Sequence, residues 1–281
     1  MFGKATVPPI EIITDYGKVT IPVENVSAVA GENRGLRDRA RVFLKDGQIL
    51  SGRIPEIDRP VIFVAPHEHH SNLLPWLESV ADLVEIGLDG EGQINVGELD
   101  ARLKEYGHRK LKAGSFSAAS NVTGVLTDVS MLARVLHRNG AWAFFDFAAA
   151  GPYVPIDMHP PDEEARIDAL FISPHKFIGG PEGSGLLVAN RALFRSNKPE
   201  RPGGGSVDYV AGATHSTVDY VKGLAEREEG GTPAIMGDLR TGAAFLVKQM
   251  LDPEAILRHE VDLASRAVER LERHPRIEVL G

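Results

Sequence analysis

From Val61 to Asn190 the chain alternates short apolar runs with stretches of helical spacing, a rhythm that few architectures satisfy. The runs are VIFVA (Val61 to Ala65), LVEIGL (Leu83 to Leu88), LKAGSFS (Leu111 to Ser117), AWAFFD (Ala141 to Asp146) and DALFIS (Asp168 to Ser173). Between them, NLLPWLESVA and VSMLARVLHRNG carry apolar residues three and four apart, and the second closes on Gly140 as a helix C-terminal stop. Strands linked through helices pair in parallel and are covered on both faces, so the expected fold is a three-layer α/β/α domain with a mostly parallel sheet. A sixth run, GSGLLVAN (Gly183 to Asn190), follows its predecessor after only a turn, which predicts an antiparallel strand.

The first sixty residues differ in texture. IEIITDYGKVTIP and RVFLKDGQILSGRI each alternate apolar and polar positions around a Gly-containing turn, which predicts two hairpins, a weak internal repeat, joined by GENRGLRDR as a loop. At the other end, Asp252 as N-cap and Pro253 at the first position open a helix whose stripe is Leu257, Val261, Ala264, Val268 and Leu271, followed by PRIEVLG as the start of a strand. The expected organisation is therefore a hairpin-rich segment over 1–60, a large domain over 61–251, and the beginning of a truncated small domain over 252–281.

Composition narrows the function. A formal net charge of −8 over 281 residues argues against a nucleic-acid or anionic-membrane partner. The opening MFGKATVPPIEIITDYG has no signal-peptide core, and no run approaches the roughly 20 apolar residues of a membrane helix, so the expected location is the cytoplasm. With no cysteine, these residues supply neither a disulfide framework nor a thiolate nucleophile.

Ligands of parallel sheets bind beyond the C-terminal ends of the strands. At those ends stand HEHHSN (His67 to Asn72), Asn121, Asp146, and the group Ser173, His175 and Lys176. Each has an ordinary reading: Lys176 as a solvated lysine, Asp146 as a helix cap, Asn121 as a turn residue, the histidines as surface. Together they meet the needs of pyridoxal 5′-phosphate, which requires an amine for a Schiff base, a carboxylate at the pyridine nitrogen, a flat group on the ring and donors for the phosphate. A third reading takes His67 and His69 as part of a zinc site.

Five segments carry a resemblance: EHHSNLLPW (Glu68 to Trp76), SAASNVTGVLTDV (Ser117 to Val129), DFAAAGPYVPIDM (Asp146 to Met158), SPHKFIGGPEGSGLLV (Ser173 to Val188) and REEGGTPAIMG (Arg227 to Gly237). In this order and spacing, residues 61–281 resemble the class V aminotransferase family, fold-type-I pyridoxal-phosphate enzymes that include the cysteine desulfurases. The resemblance implies Lys176 as the Schiff-base lysine and proton shuttle, His69 stacked on the ring, Asp146 at the pyridine nitrogen and Asn121 near the phenolic oxygen. It implies Ser173 and His175 as phosphate contacts and Thr232 as a phosphate contact reaching a neighbouring subunit, hence a homodimer with shared sites and an amino-acid substrate.

Three departures shape the expected activity. Ala149 stands where many desulfurases carry a glutamine. Residues 1–60 occupy the place of the family's Gly-rich, phosphate-holding helix start, and the small domain that carries the desulfurase cysteine is cut short. A transferase or lyase therefore ranks ahead of a desulfurase, and cofactor binding is expected to be weak. The rival from another class is a non-catalytic scaffold whose hairpins bind a partner.

Overall fold

The computed structural model describes residues 9–14, 17–22, 25–31, 39–46, 48–212 and 217–279. Its centre is a six-stranded sheet built from β6 (Val61–Val64), β7 (Asp82–Glu85), β8 (Lys112–Ser117), β9 (Trp142–Asp146), β10 (Ala169–Ile172) and β11 (Leu186–Ala189), in the order β11-β10-β9-β8-β6-β7. All neighbours pair in parallel except β10 and β11, which are antiparallel with Leu170 opposite Val188. The turn between those two strands leaves no room for a crossover, as the spacing predicts.

Every residue of β6 and β8 is buried, the mark of strands covered on both faces. One face packs Val61, Phe63, Phe116 and Phe145 against Leu99 and Leu103 of α2 (Val96–Glu105) and Leu132 and Leu136 of α3 (Val129–Arg138). The other packs Ile62, Val64 and Ala113 against Leu73 and Trp76 of α1 (His70–Leu77). This is the expected three-layer arrangement. Gly114 of β8 is small for a reason: a Cβ there would lie 2.7 Å from a Leu136 methyl, so α3 settles on the sheet only over a glycine. α3 ends in a Schellman motif, with the Gly140 N–H donating to His137 O and the Ala141 N–H to Leu136 O, and Gly140 takes φ +67°.

The N-terminal residues form their own antiparallel sheet, ordered β2-β1-β5-β4-β3, from β1 (Ile10–Thr14), β2 (Gly17–Ile21), β3 (Val26–Gly31), β4 (Arg39–Leu44) and β5 (Ile49–Arg53). Both predicted hairpins are present, β1 with β2 and β4 with β5, and Ile12, Ile21 and Val42 make a small core. Strand β3 was not expected. The predicted loop Gly31 to Arg39 begins and ends in strands, and its residues 32–38, like Gly47 of the KDGQ turn, lie outside the described residues.

Beyond β11 come the two-stranded β12 (Val207–Val210) and β13 (Val218–Tyr220), α4 (Leu224–Glu228), α5 (Ile235–Met250) and α6 (Pro253–Glu272). α6 starts as predicted, Asp252 accepting from the Glu254 N–H. Its stripe faces outward, with Val261 53% and Leu271 44% exposed. The strand expected in PRIEVLG is a correction: residues 277–279 are not strand, and no described strand lies beside them to satisfy their backbone groups. Among the described residues no helix is long and apolar enough to cross a membrane.

Candidate active site

Four adjacent parallel strands, β10, β9, β8 and β6, present their C-terminal ends at one edge of the sheet. Asp146 is the last residue of β9, directly across from Ser117 of β8 and Phe171 of β10. It is 7% exposed, and its Oδ1 accepts the Ala148 N–H at 2.8 Å. Its other oxygen takes no hydrogen bond among the described residues and is not itself a buried unpartnered atom, so the carboxylate presents one oxygen toward the open rim.

Lys176 lies one strand over. Ser173 ends the β10 segment and Pro174 opens a single 3₁₀ turn through Lys176, closed by the Lys176 N–H on Ser173 O at 3.0 Å and the Phe177 N–H on Pro174 O at 2.9 Å. The Lys176 amine is exposed and makes no hydrogen bond or ion pair among the described residues. Its backbone is held firmly. Phe177 is buried against Phe245 of α5, ring centroids 4.9 Å apart, and Gly180 sits so close that a Cβ would overlap the Pro174 carbonyl oxygen. The following turn is pinned to α5 by the Ser184 N–H on Gly237 O and the Thr241 hydroxyl on Ser184 O.

The remaining predicted residues fall in different places. His69 is the N-cap of α1, its Nδ1 accepting the Ser71 N–H at 3.1 Å, and is exposed at the end of the β6 segment. Asn121 is exposed in the turn after β8, and Ser173 and His175 flank Pro174. These residues share the edge with Asp146 and Lys176. Thr232 does not: it is exposed in the loop before α5 and bonds to none of them. For the zinc reading, His67 is half-buried with Nε2 unpartnered, but among the described residues no group of three or more metal-ligating side chains is placed to hold an ion.

A polar core that sequence reading missed lies beneath this edge. The Glu68 carboxylate is buried and accepts from Asn72, from the Ser117 hydroxyl and from two backbone N–H groups. Burial pushes its pKa up, and the bonds from Ser117 and Asn72 and the nearby His67 pull it part of the way back. The available signal was the repeated Ser of AGSFSAAS at positions where a strand buried on both faces wants apolar residues.

A mostly parallel sheet with an amine, a buried carboxylate and an imidazole gathered at one strand edge defines a doubly wound α/β protein. The Aminotransferase class-V profile matches residues 58–281, and the chain belongs to that family, whose members depend on pyridoxal phosphate. A probable cysteine desulfurase of Halalkalibacterium halodurans is 33% identical over 75% of this chain and 50% of its own length. One from Mycobacterium leprae is 32% identical over 79% and 50%. Among solved structures, the apo cysteine desulfurase of Thermococcus onnurineus NA1 superposes with a TM-score of 0.64 at 26% identity, covering 77% of this chain and 52% of that one. The chain spans about half the length of the curated relatives it matches.

The residues fit the family's cofactor at its ring and aldehyde. A carboxylate with one oxygen open at the rim suits a protonated pyridine nitrogen, and an amine in the turn after the neighbouring strand, without a partner among the described residues, suits covalent attachment.

Proposed function

We propose that this chain is the cofactor-binding core of a class V enzyme that acts on an amino acid, with Lys176 as the attachment point of pyridoxal phosphate and the reaction a transfer or an elimination. The observation that carries the reading is the adjacency of β9 and β10, with Asp146 opposite Phe171 and Lys176 following in the turn beyond. When bound, pyridoxal phosphate supplies an electron sink for chemistry at the substrate Cα.

The chain's own residues divide the work. Lys176 would hold the cofactor through its amine and would be placed to move a proton at the substrate Cα. Asp146 would hold a proton on the pyridine nitrogen, and its burial would strengthen such an ion pair. His69 would cover the ring and Asn121 would hold its phenolic oxygen. Ser173 and His175 would donate to the phosphate, and Thr232 of a second subunit would complete that set in a homodimer.

The test is a titration of the chain with pyridoxal phosphate, followed by visible absorbance. The chain develops a saturable visible band and Lys176→Ala does not. No band in the parent chain would favour the scaffold reading, in which the sheet of residues 10–53 binds a partner.

A further inference from the structure

Glu68 immediately precedes His69, yet the reading above gives it no part. Its Oε1 accepts the Ala65 N–H at 3.3 Å and the Ser117 N–H at 3.1 Å, and its Oε2 accepts the Asn72 amide and the Ser117 hydroxyl, both at 2.7 Å. Asn72 continues the network, donating to Ser115 O at 3.3 Å while its Oδ1 accepts the Ser115 hydroxyl at 2.7 Å. Glu68, Asn72, Ser115 and Ser117 are no more than 7% exposed. Burying a carboxylate costs several kcal/mol unless its acceptor positions are filled, and here each oxygen has two donors.

The arrangement has a geometric return. Ser117 stands directly across from Asp146 in the β8–β9 register, and the Ala118 N–H donates to Asp146 O at 2.9 Å. His69, by contrast, bonds through its ring among the described residues only to Ser71, in the first turn of its own helix. The turn that carries the imidazole is therefore tied to the strand end beside Asp146 through the Glu68 carboxylate.

We infer that Glu68 is a positioning residue: its buried carboxylate sets where the His69 imidazole stands relative to Asp146, without itself touching a ligand. What the placed imidazole does rests on the cofactor reading above; the placement is a property of the chain. Glu68→Gln preserves size but turns one oxygen into an amide nitrogen that faces donors, so the turn must shift. Ser117→Ala removes one of the four bonds and is the milder variant should Glu68→Gln fold poorly.

Two readouts test it. In the chain without cofactor, ¹⁵N NMR of the histidine rings places His69 in the Nε2–H tautomer, because Nδ1 accepts the Ser71 N–H. Glu68→Gln, and Ser117→Ala to a lesser degree, displace the His69 ring from the strand end beside Asp146 and so move its ring shifts, while the tautomer held by Ser71 persists. Unchanged His69 ring shifts in both variants overturn the inference, whether or not pyridoxal phosphate binds. With pyridoxal phosphate, His69→Ala weakens binding roughly fivefold, the scale of one aromatic contact, and Glu68→Gln does about the same. The double variant binds no more weakly than His69→Ala alone. Losses that multiply in the double variant would show that Glu68 acts independently of His69 and overturn the inference. No binding by the parent chain would instead count against the cofactor reading and leave the NMR result to decide the placement.

Discussion

The Lys248 amine lies 5.5 Å from the centroid of the Phe177 ring, next in the chain to Lys176, and donates to the carbonyl oxygens of Gly151 at 2.6 Å and Val154 at 2.5 Å. One buried side chain of α5 thus reaches both the turn after Asp146 and the segment that carries Lys176. Burial pushes its pKa down to about 8, with the Glu254 carboxylate opposing. Between about 8 and the ordinary 10.5 the unfolded chain holds the proton more tightly, so this group's contribution to stability rises with pH across that window. The neutral amine still supplies donors to both carbonyls. Relative to Lys248→Met, the parent chain gains on the order of 3 kcal/mol from pH 7.5 to 10.5, measured by denaturant unfolding. A difference independent of pH would contradict the assignment.

Asp146→Ala is expected to separate attachment from activation. The Lys176 amine does not depend on the carboxylate, so reducible attachment of pyridoxal phosphate survives. Exchange of the substrate Cα proton slows by about 10²–10³-fold, the range for loss of one preorganised charged group. Proton exchange followed by NMR at the parental rate would remove Asp146 from the site.

Gly180 controls the backbone under Lys176. Because a Cβ at this position overlaps the Pro174 carbonyl oxygen, Gly180→Ala forces the 3₁₀ turn and Lys176 to move. The expected cost is about 1–3 kcal/mol of stability, with a parallel drop in the yield of attached cofactor. Full yield with unchanged unfolding would mean that the turn is not packed as described.

Phosphate binding is expected to depend on assembly. Ser173 and His175 are the proposed phosphate contacts on the sheet edge, and residues 10–53 ahead of the parallel sheet form an antiparallel sheet. If Thr232 arrives from a second subunit as proposed, the affinity for pyridoxal phosphate falls on dilution of the protein. Tight binding independent of protein concentration would show that another element of the chain holds the phosphate.

The parallel sheet was legible because strands buried on both faces leave uninterrupted apolar runs, as in VIFV of β6. The placement of Lys176, Asp146 and the histidines at one sheet edge was legible because polar residues at strand ends stand out against those runs. Glu68 was not: a carboxylate within HEHHSN looks solvated, and its main partner, Ser117, lies 49 positions away. Strand β3 was hidden by VSAVAG, whose small residues give weak alternation. The α6 stripe was read correctly as a pattern, but amphipathicity does not reveal what covers a face, and Val261 and Leu271 face outward. PRIEVLG showed strand composition without the neighbour that a strand requires.

The most direct test is to incubate the chain with pyridoxal phosphate, reduce with borohydride, digest, and identify the modified peptide by mass spectrometry. The account predicts one predominant pyridoxyl-modified residue, Lys176, in the segment FISPHKFIGG, absent from Lys176→Ala although that variant unfolds like the parent chain. Equal labelling of the parent chain and Lys176→Ala, or a principal adduct on any other lysine, would contradict it.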